Sequence, residues 1–164
     1  MKYTDVIGEN LKSDFLCDLF ETYDVDVIYE YDRTHENIDD EYRAEIPKMG
    51  LGFLFNQDQN LISLFMKNAQ HDGFNPFKPP DPRLVPFNSR DGAEAYAQQN
   101  NIKYESHKAK EDSFFGKIPD WVKYYFGRYS IHYEFNDNEK EIFIHFQKGG
   151  ALCRSYETYI KLGT

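Results

Sequence analysis

Cysteine is scarce in this chain. Cys17 and Cys153 stand far apart and in no metal-ligand or redox spacing, which excludes a disulfide scaffold and a zinc-finger framework; both read as reduced thiols. No apolar run approaches the ~18 residues that a membrane-spanning helix needs. The first residues, MKYTDVIGENLKSDF, contain no apolar leader segment, so the expectation is a cytoplasmic protein without a membrane partner. Common catalytic signatures are missing as well: there is no G-x-S-x-G elbow, no P-loop and no H-E-x-x-H. Gly50-Leu51-Gly52 is too short for a dinucleotide fingerprint and falls between two predicted strands. The sequence thus predicts neither an enzyme nor a cofactor.

What the chain has in abundance is aromatic residues and carboxylates. There are 13 Tyr, 14 Phe and one Trp in 164 residues. Phe fills a core, whereas Tyr suits half-buried positions and interfaces because its ring is apolar and its hydroxyl is wet. The net charge of −9 is unevenly spread: residues 1–47 hold 14 Asp and Glu against 4 Lys and Arg, and residues 48–164 hold 14 against 15. An acidic face repels nucleic-acid phosphates and steers a basic protein partner.

The hydrophobic pattern is written twice. Asp40–Lys67 and Asp120–Gln147 superpose without a gap at an offset of 80, with identities at Asp40/Asp120, Phe55/Phe135, Asn56/Asn136 and Ile62/Ile142. Leu51, Phe53 and Phe55 match Ile131, Tyr133 and Phe135; Ile62, Leu64 and Met66 match Ile142, Ile144 and Phe146. Upstream of each set lies a helical run with a serine at its start. Ser13 precedes Asp14–Tyr23, where Phe15, Leu16, Leu19, Phe20 and Tyr23 recur at helical spacing; Ser89 precedes Arg90–Asn100. Val25–Tyr31 alternates as a strand, with Val25, Val27, Tyr29 and Tyr31 on one face and Asp24, Asp26, Ile28 and Glu30 on the other. Glu41–Ile46, Leu51–Phe55 and Leu61–Met66 follow as strands, joined by turns at Pro47–Gly50 and Asn56–Asn60. In the second half, Lys103–Lys117 reads as a polar stretch, and Trp121–Phe126, Tyr129–Phe135 and Glu141–Gln147 as strands, with a turn at Asn136–Glu139. Gly149-Gly150 ends the last strand, and Leu152–Leu162 fits a strand or a helix equally.

These elements predict an α+β fold: two similar helix-plus-antiparallel-strand units, in one sheet or two, with helices on one face. The units span about 1–67 and 87–164 of a single domain. Between them lies a Pro-rich linker, 68–86, which Phe74, Phe77 and Leu84 pin to the body.

Ser89-Arg90-Asp91-Gly92-Ala93-Glu94 at the second helix, and Tyr129–Phe135 with its Asn136-Asp137 turn, resemble the helix-plus-four-strand repeat of the beta-lactamase-inhibitor-protein type. They also resemble immunity proteins of contact-dependent or type VI toxins. Two departures stand out: Leu84-Val85-Pro86-Phe87 fits the usual segment before the second helix loosely, and Asn100-Asn101-Ile102 replaces a Gly-x-Pro after it. The resemblance implies stoichiometric binding and neutralisation of a cognate toxin domain, often a basic nuclease. The contact would then fall on the acidic segment, through Asp24, Asp26, Glu30, Asp32, Glu36, Asp39 and Asp40, with Tyr29, Tyr31 and Tyr42 as aromatic anchors.

Two other readings stay open. His132, His145 and Glu134 share the outward face of the second predicted hairpin, and two imidazoles with a carboxylate can hold zinc or act as acid and base. A structural or adaptor module is the third. Calcium is disfavoured, because the acidic segment lacks the order of an EF-hand loop and a strand sends alternate carboxylates to opposite faces.

Overall fold

In a computed structural model of the chain, the described residues are 3–31, 39–67, 73–78, 84–112, 116–135 and 142–148. Helix α1 (Asp14–Tyr23) is followed by strands β1 (Val27–Glu30), β2 (Glu41–Ile46), β3 (Leu51–Phe55) and β4 (Leu61–Lys67). Helix α2 (Arg90–Gln99) is followed by β5 (Tyr104–His107), β6 (Lys110–Asp112), β7 (Gly116–Ile118), β8 (Asp120–Tyr125), β9 (Tyr129–Phe135) and β10 (Ile142–Lys148). The fold is α+β. One antiparallel sheet of eight strands runs β1-β2-β3-β4-β10-β9-β8-β5, and β6 pairs with β7 in a small ribbon of its own. Each half is a helix followed by a four-strand meander, and the last strands of the two meanders join them into a single sheet.

Alternation puts one long apolar face under both helices. Ala44, Ile46, Leu51, Phe53, Phe55, Leu64 and Met66 from the first half and Val122, Tyr124, Ile131 and Tyr133 from the second are all buried. Leu16 and Phe20 of α1 lie in the same core, Phe20 meeting the Phe53 and Phe55 rings edge-on at 5.2 and 6.3 Å. Burial of each such side chain contributes about 1.5–3 kcal/mol. The α2 contact is different in kind. Ala93 and Ala97 are its buried residues, and their small size lets the helix lie close to the sheet. The Tyr124 hydroxyl donates to Ala93 O at 2.6 Å. Phe87, just before α2, packs on Tyr96, Tyr124 and Tyr133.

The strand registers refine the 80-residue repeat. Leu51↔Met66 and Ile131↔Phe146 are equivalent pairs, so the offset is 80 for β3 and β4. Ala44↔Phe53 corresponds to Val122↔Tyr133, so β2 lies on β8 at an offset of 78, and the ungapped alignment ends at the hairpin between them. An even shift keeps every side chain on its own face, which is why the hydrophobic pattern concealed it. Ile62 is a second correction. The register slips between Leu54 and Phe55, leaving Ile62 as the extra residue of a bulge, half-buried, while Leu61 takes the fully buried place opposite Phe55. The polar stretch Lys103–Lys117 is a third: it contains β5, β6 and the first two residues of β7. Charged and polar side chains suit an edge strand such as β5, and a ribbon of three-residue strands is too short to show an alternation, so hydrophobic periodicity passed over them. Ser89 caps α2, its Oγ accepting from Gly92 N at 3.2 Å, whereas Ser13 occupies the N-cap position of α1 with no side-chain capping bond.

Of the linker, Phe74, Phe77 and Leu84 are buried as expected. Asn75 N–H donates to Pro47 O at 2.8 Å and Phe77 N–H to Lys67 O at 2.5 Å, fastening this segment across the end of the β3–β4 hairpin. Gly50 makes that approach possible. Its φ is +68°, and a Cβ there would collide with Asn75 O and Phe77 N, which are backbone atoms that cannot swing away. Gly50→Ala is therefore expected to cost at least ~1 kcal/mol, read as a lower midpoint of urea unfolding with an unchanged slope.

Candidate protein-binding edge

The acidic segment is built where α1 turns into the sheet. Asp24 closes the helix in the left-handed region, φ 52°, and Val25 N–H bonds back to Phe20 O at 3.0 Å. Two residues later the chain is β1, the outermost strand, paired only with β2 among the described residues. Because α1 packs on β3, it leaves β1 uncovered. All four residues of β1 are exposed.

The two faces of this edge differ. On the helix side, Val27, Tyr29 and Tyr31 alternate in sequence, and Tyr42 stands opposite Tyr29. The Tyr29 ring lies 5.0 Å from Tyr42 and 5.9 Å from Tyr31, making a short aromatic shelf. The Tyr29 hydroxyl donates to Asp40 Oδ2 at 2.5 Å. That hydrogen bond to a carboxylate is the main reason the Tyr29 phenol is pushed up to about 12. On the far side, Glu30 and Glu41 are directly opposed, an arrangement that would repel. Arg43 relieves it, reaching Glu30 at 3.0 Å and Glu41 at 3.5 Å.

The ten residues singled out from the sequence therefore fall as follows. Asp24, Asp26, Glu30, Asp39, Tyr29 and Tyr31 are exposed at or beside the edge strand; Asp40 is half-buried beneath Tyr29. Tyr42 is half-buried against the core and supports Tyr29 more than it faces outward. Asp32 and Glu36 lie outside the described residues. The sequence reading passed over Val27, Ile28 and Arg43. Val27 and Ile28 look like any strand apolars until the strand order shows that they stand at the rim. Arg43 had a signal: it is one of only four basic residues in the first 47.

The alternative cluster sits on the other half. His132 and His145 are direct partners in the β9–β10 register, but the side chains of β10 are not described. His132 lies 5.2 Å from the Trp121 ring, and its Nε2 is 3.9 Å from Glu134 Oε1, beyond hydrogen-bond reach. Glu134 is 9% exposed, and burial raises its carboxyl to about 7. Among the described residues no three His, Cys, Asp or Glu side chains converge as a metal site would need. No described helix is long and apolar enough to cross a membrane.

Comparison with protein-family models, with curated proteins and with solved structures finds no match.

Glu134 gives a pH signature. Its folded-state pKa lies above the unfolded value of 4.5, so the native state holds the proton more tightly. The associated stability is complete below about pH 4.5 and is lost as pH rises through about 7. Glu134→Gln is expected to remove this slope. Between pH 5 and 8 the wild type should lose on the order of 2–3 kcal/mol more than the variant, read from unfolding curves at the two pH values.

Proposed function

We propose that this chain is an immunity protein: a cytoplasmic, non-catalytic inhibitor that binds one cognate bacterial toxin domain and blocks it. A basic toxin, and a nuclease in particular, is the target class that charge favours. The observation that carries the reading is the exposed edge strand β1, where apolar and aromatic side chains stand among carboxylates, in a segment, residues 1–47, that holds 14 Asp and Glu against 4 Lys and Arg. Such a surface suits the two stages of tight association. Asp24, Asp26, Asp39 and Glu30 raise the encounter rate with a basic partner. Tyr29 and Tyr31 then supply rigid, amphipathic contact area of the kind that dominates binding energy. A target whose own site binds phosphates presents the matching positive charge.

Co-expression with the toxin domain encoded beside it is expected to restore growth and to yield a one-to-one complex. Loss of both would remove the proposal. Reversing Asp24, Asp26, Asp39 and Asp40 to Lys is expected to slow association at least about tenfold at low salt and to flatten its salt dependence, measured by stopped-flow or surface-plasmon kinetics. Unaltered kinetics would move the contact away from β1.

A further inference from the structure

The sheet has two rims, and their chemistry is opposite. Backbone direction follows from the ladder. Lys67 N–H donates to Gly50 O at 2.9 Å, so alternate residues Gly50 and Gly52 bond toward β4, and Leu51 and Phe53 bond toward β2. Carried through the observed registers, Ala44 bonds to β3, and Glu41 and Arg43 bond to Glu30 and Ile28 of β1. Val27 and Tyr29 therefore aim their N–H and C=O groups away from the sheet. Carried the other way through β10, β9 and β8, the same alternation turns Tyr125 toward β5, and Tyr125 N–H does donate to Lys103 O at 2.9 Å.

The β5 rim is defended. Exposed Lys103, Glu105 and Lys108 punctuate it, and the Tyr104 hydroxyl is held by Gln98 of α2 at 2.9 Å. Charged residues of this kind are how proteins keep a sheet edge from pairing. Among the described residues β1 itself carries no Lys or Arg, and the neighbouring Arg43 of β2 is taken up by Glu30 and Glu41. Val27 is 39% exposed, Ile28 59%, Tyr29 49% and Tyr31 53%. Among the described residues the charge around this rim is mostly negative: Asp24 and Asp26 before the strand, Glu30 within it, and Asp39 and Asp40 entering β2. A second copy of this chain laid on β1 would bring these carboxylates against their own kind. A strand carrying Lys or Arg would meet them with opposite charge and lay its aliphatic stems on the Tyr29 and Tyr31 rings.

We infer that the outer rim of β1 is a docking site for an extended, basic segment of a protein partner, which joins the eight-stranded sheet as an additional strand through the outward backbone groups of Val27 and Tyr29. The partner's identity as a toxin domain rests on the function proposed above; the pairing chemistry does not.

Amide exchange, read residue by residue on the full chain by NMR, tests it. The probes are two end-blocked peptides of about eight residues, one alternating Lys and Val and one alternating Glu and Val. The Lys–Val peptide is expected to slow exchange at Val27 and Tyr29 at least about tenfold, while Ile28 and Glu30, already bonded to β2, change little. The Glu–Val peptide is expected to leave all four unchanged. No slowing at Val27 and Tyr29, or equal slowing by both peptides, would overturn the inference. Protection that grows with protein concentration alone would assign the rim to a second copy and overturn it too. The same measurement with the toxin domain separates the two ideas: a complex that leaves Val27 and Tyr29 exchanging freely keeps the inhibitor and removes strand addition. Failure of any complex removes the inhibitor, while the peptides still decide the rim.

Discussion

The fold depends on one seam, the antiparallel pairing of β4 with β10. Each half alone is a four-strand meander with a single helix, and a surface that small buries too little to be secure. The seam turns two such halves into one sheet with one core, so that Leu64 and Met66 lie in the middle of the sheet and not at its margin. Its register has a consequence for symmetry. Phe65 pairs with His145, and Leu64 and Met66 pair with Phe146 and Ile144. Positions 80 apart therefore meet or exchange across the seam, which is the pattern of a two-fold axis passing between Phe65 and His145. The repeat offset and the strand pairing express one constraint seen along the chain and across it.

A two-fold seam has to leave equivalent strands at its two ends, and the first strand of each meander becomes a rim. Val27 takes the place in its half that Ser106 takes in the other. Equivalent placement makes the chemical difference between them informative, since geometry alone would treat the two alike. One rim carries lysines and a tyrosine tethered to α2; the other carries Val27, Ile28, Tyr29 and Tyr31 under a negative field.

Most of the scaffold was legible because the apolar spacing is strict. Leu51-x-Phe53-x-Phe55 and Ile131-x-Tyr133-x-Phe135 could hardly be anything but strands, and Leu16 and Phe20 fixed the buried face of α1. Failures came where a residue's role is set by its distant neighbours. The β8 offset of 78 hid behind an even shift that preserves sidedness. The Ile62 bulge hid because Leu61 and Ile62 are both apolar. β5 hid because a rim strand owes its place to backbone pairing with β8, and side chains such as Glu105 and Ser106 give no apolar signal. The candidate binding edge was half legible. Its charge could be read from composition, but the exposure of Val27 and Ile28 needed the strand order, for alternation looks the same at the rim and in the middle of a sheet.

The carboxylates around β1 answer two physical demands at once. An uncovered strand of Val, Ile and Tyr invites edge-to-edge association of identical chains. Lysines would prevent this as well as carboxylates do, and the β5 rim uses them. Against a partner of opposite charge, however, the two choices are not equivalent. Negative charge that repels a second copy attracts a basic strand, so one set of residues closes the rim to self and opens it to other. Arg43 fits this logic. Placed between Glu30 and Glu41, it removes the repulsion that would destabilise the β1–β2 pair itself, yet it sits on the face away from the Tyr29 shelf. Arg43 thus steadies the β1–β2 pair from the face opposite the Tyr29 shelf and leaves the outward backbone groups of Val27 and Tyr29 unoccupied among the described residues.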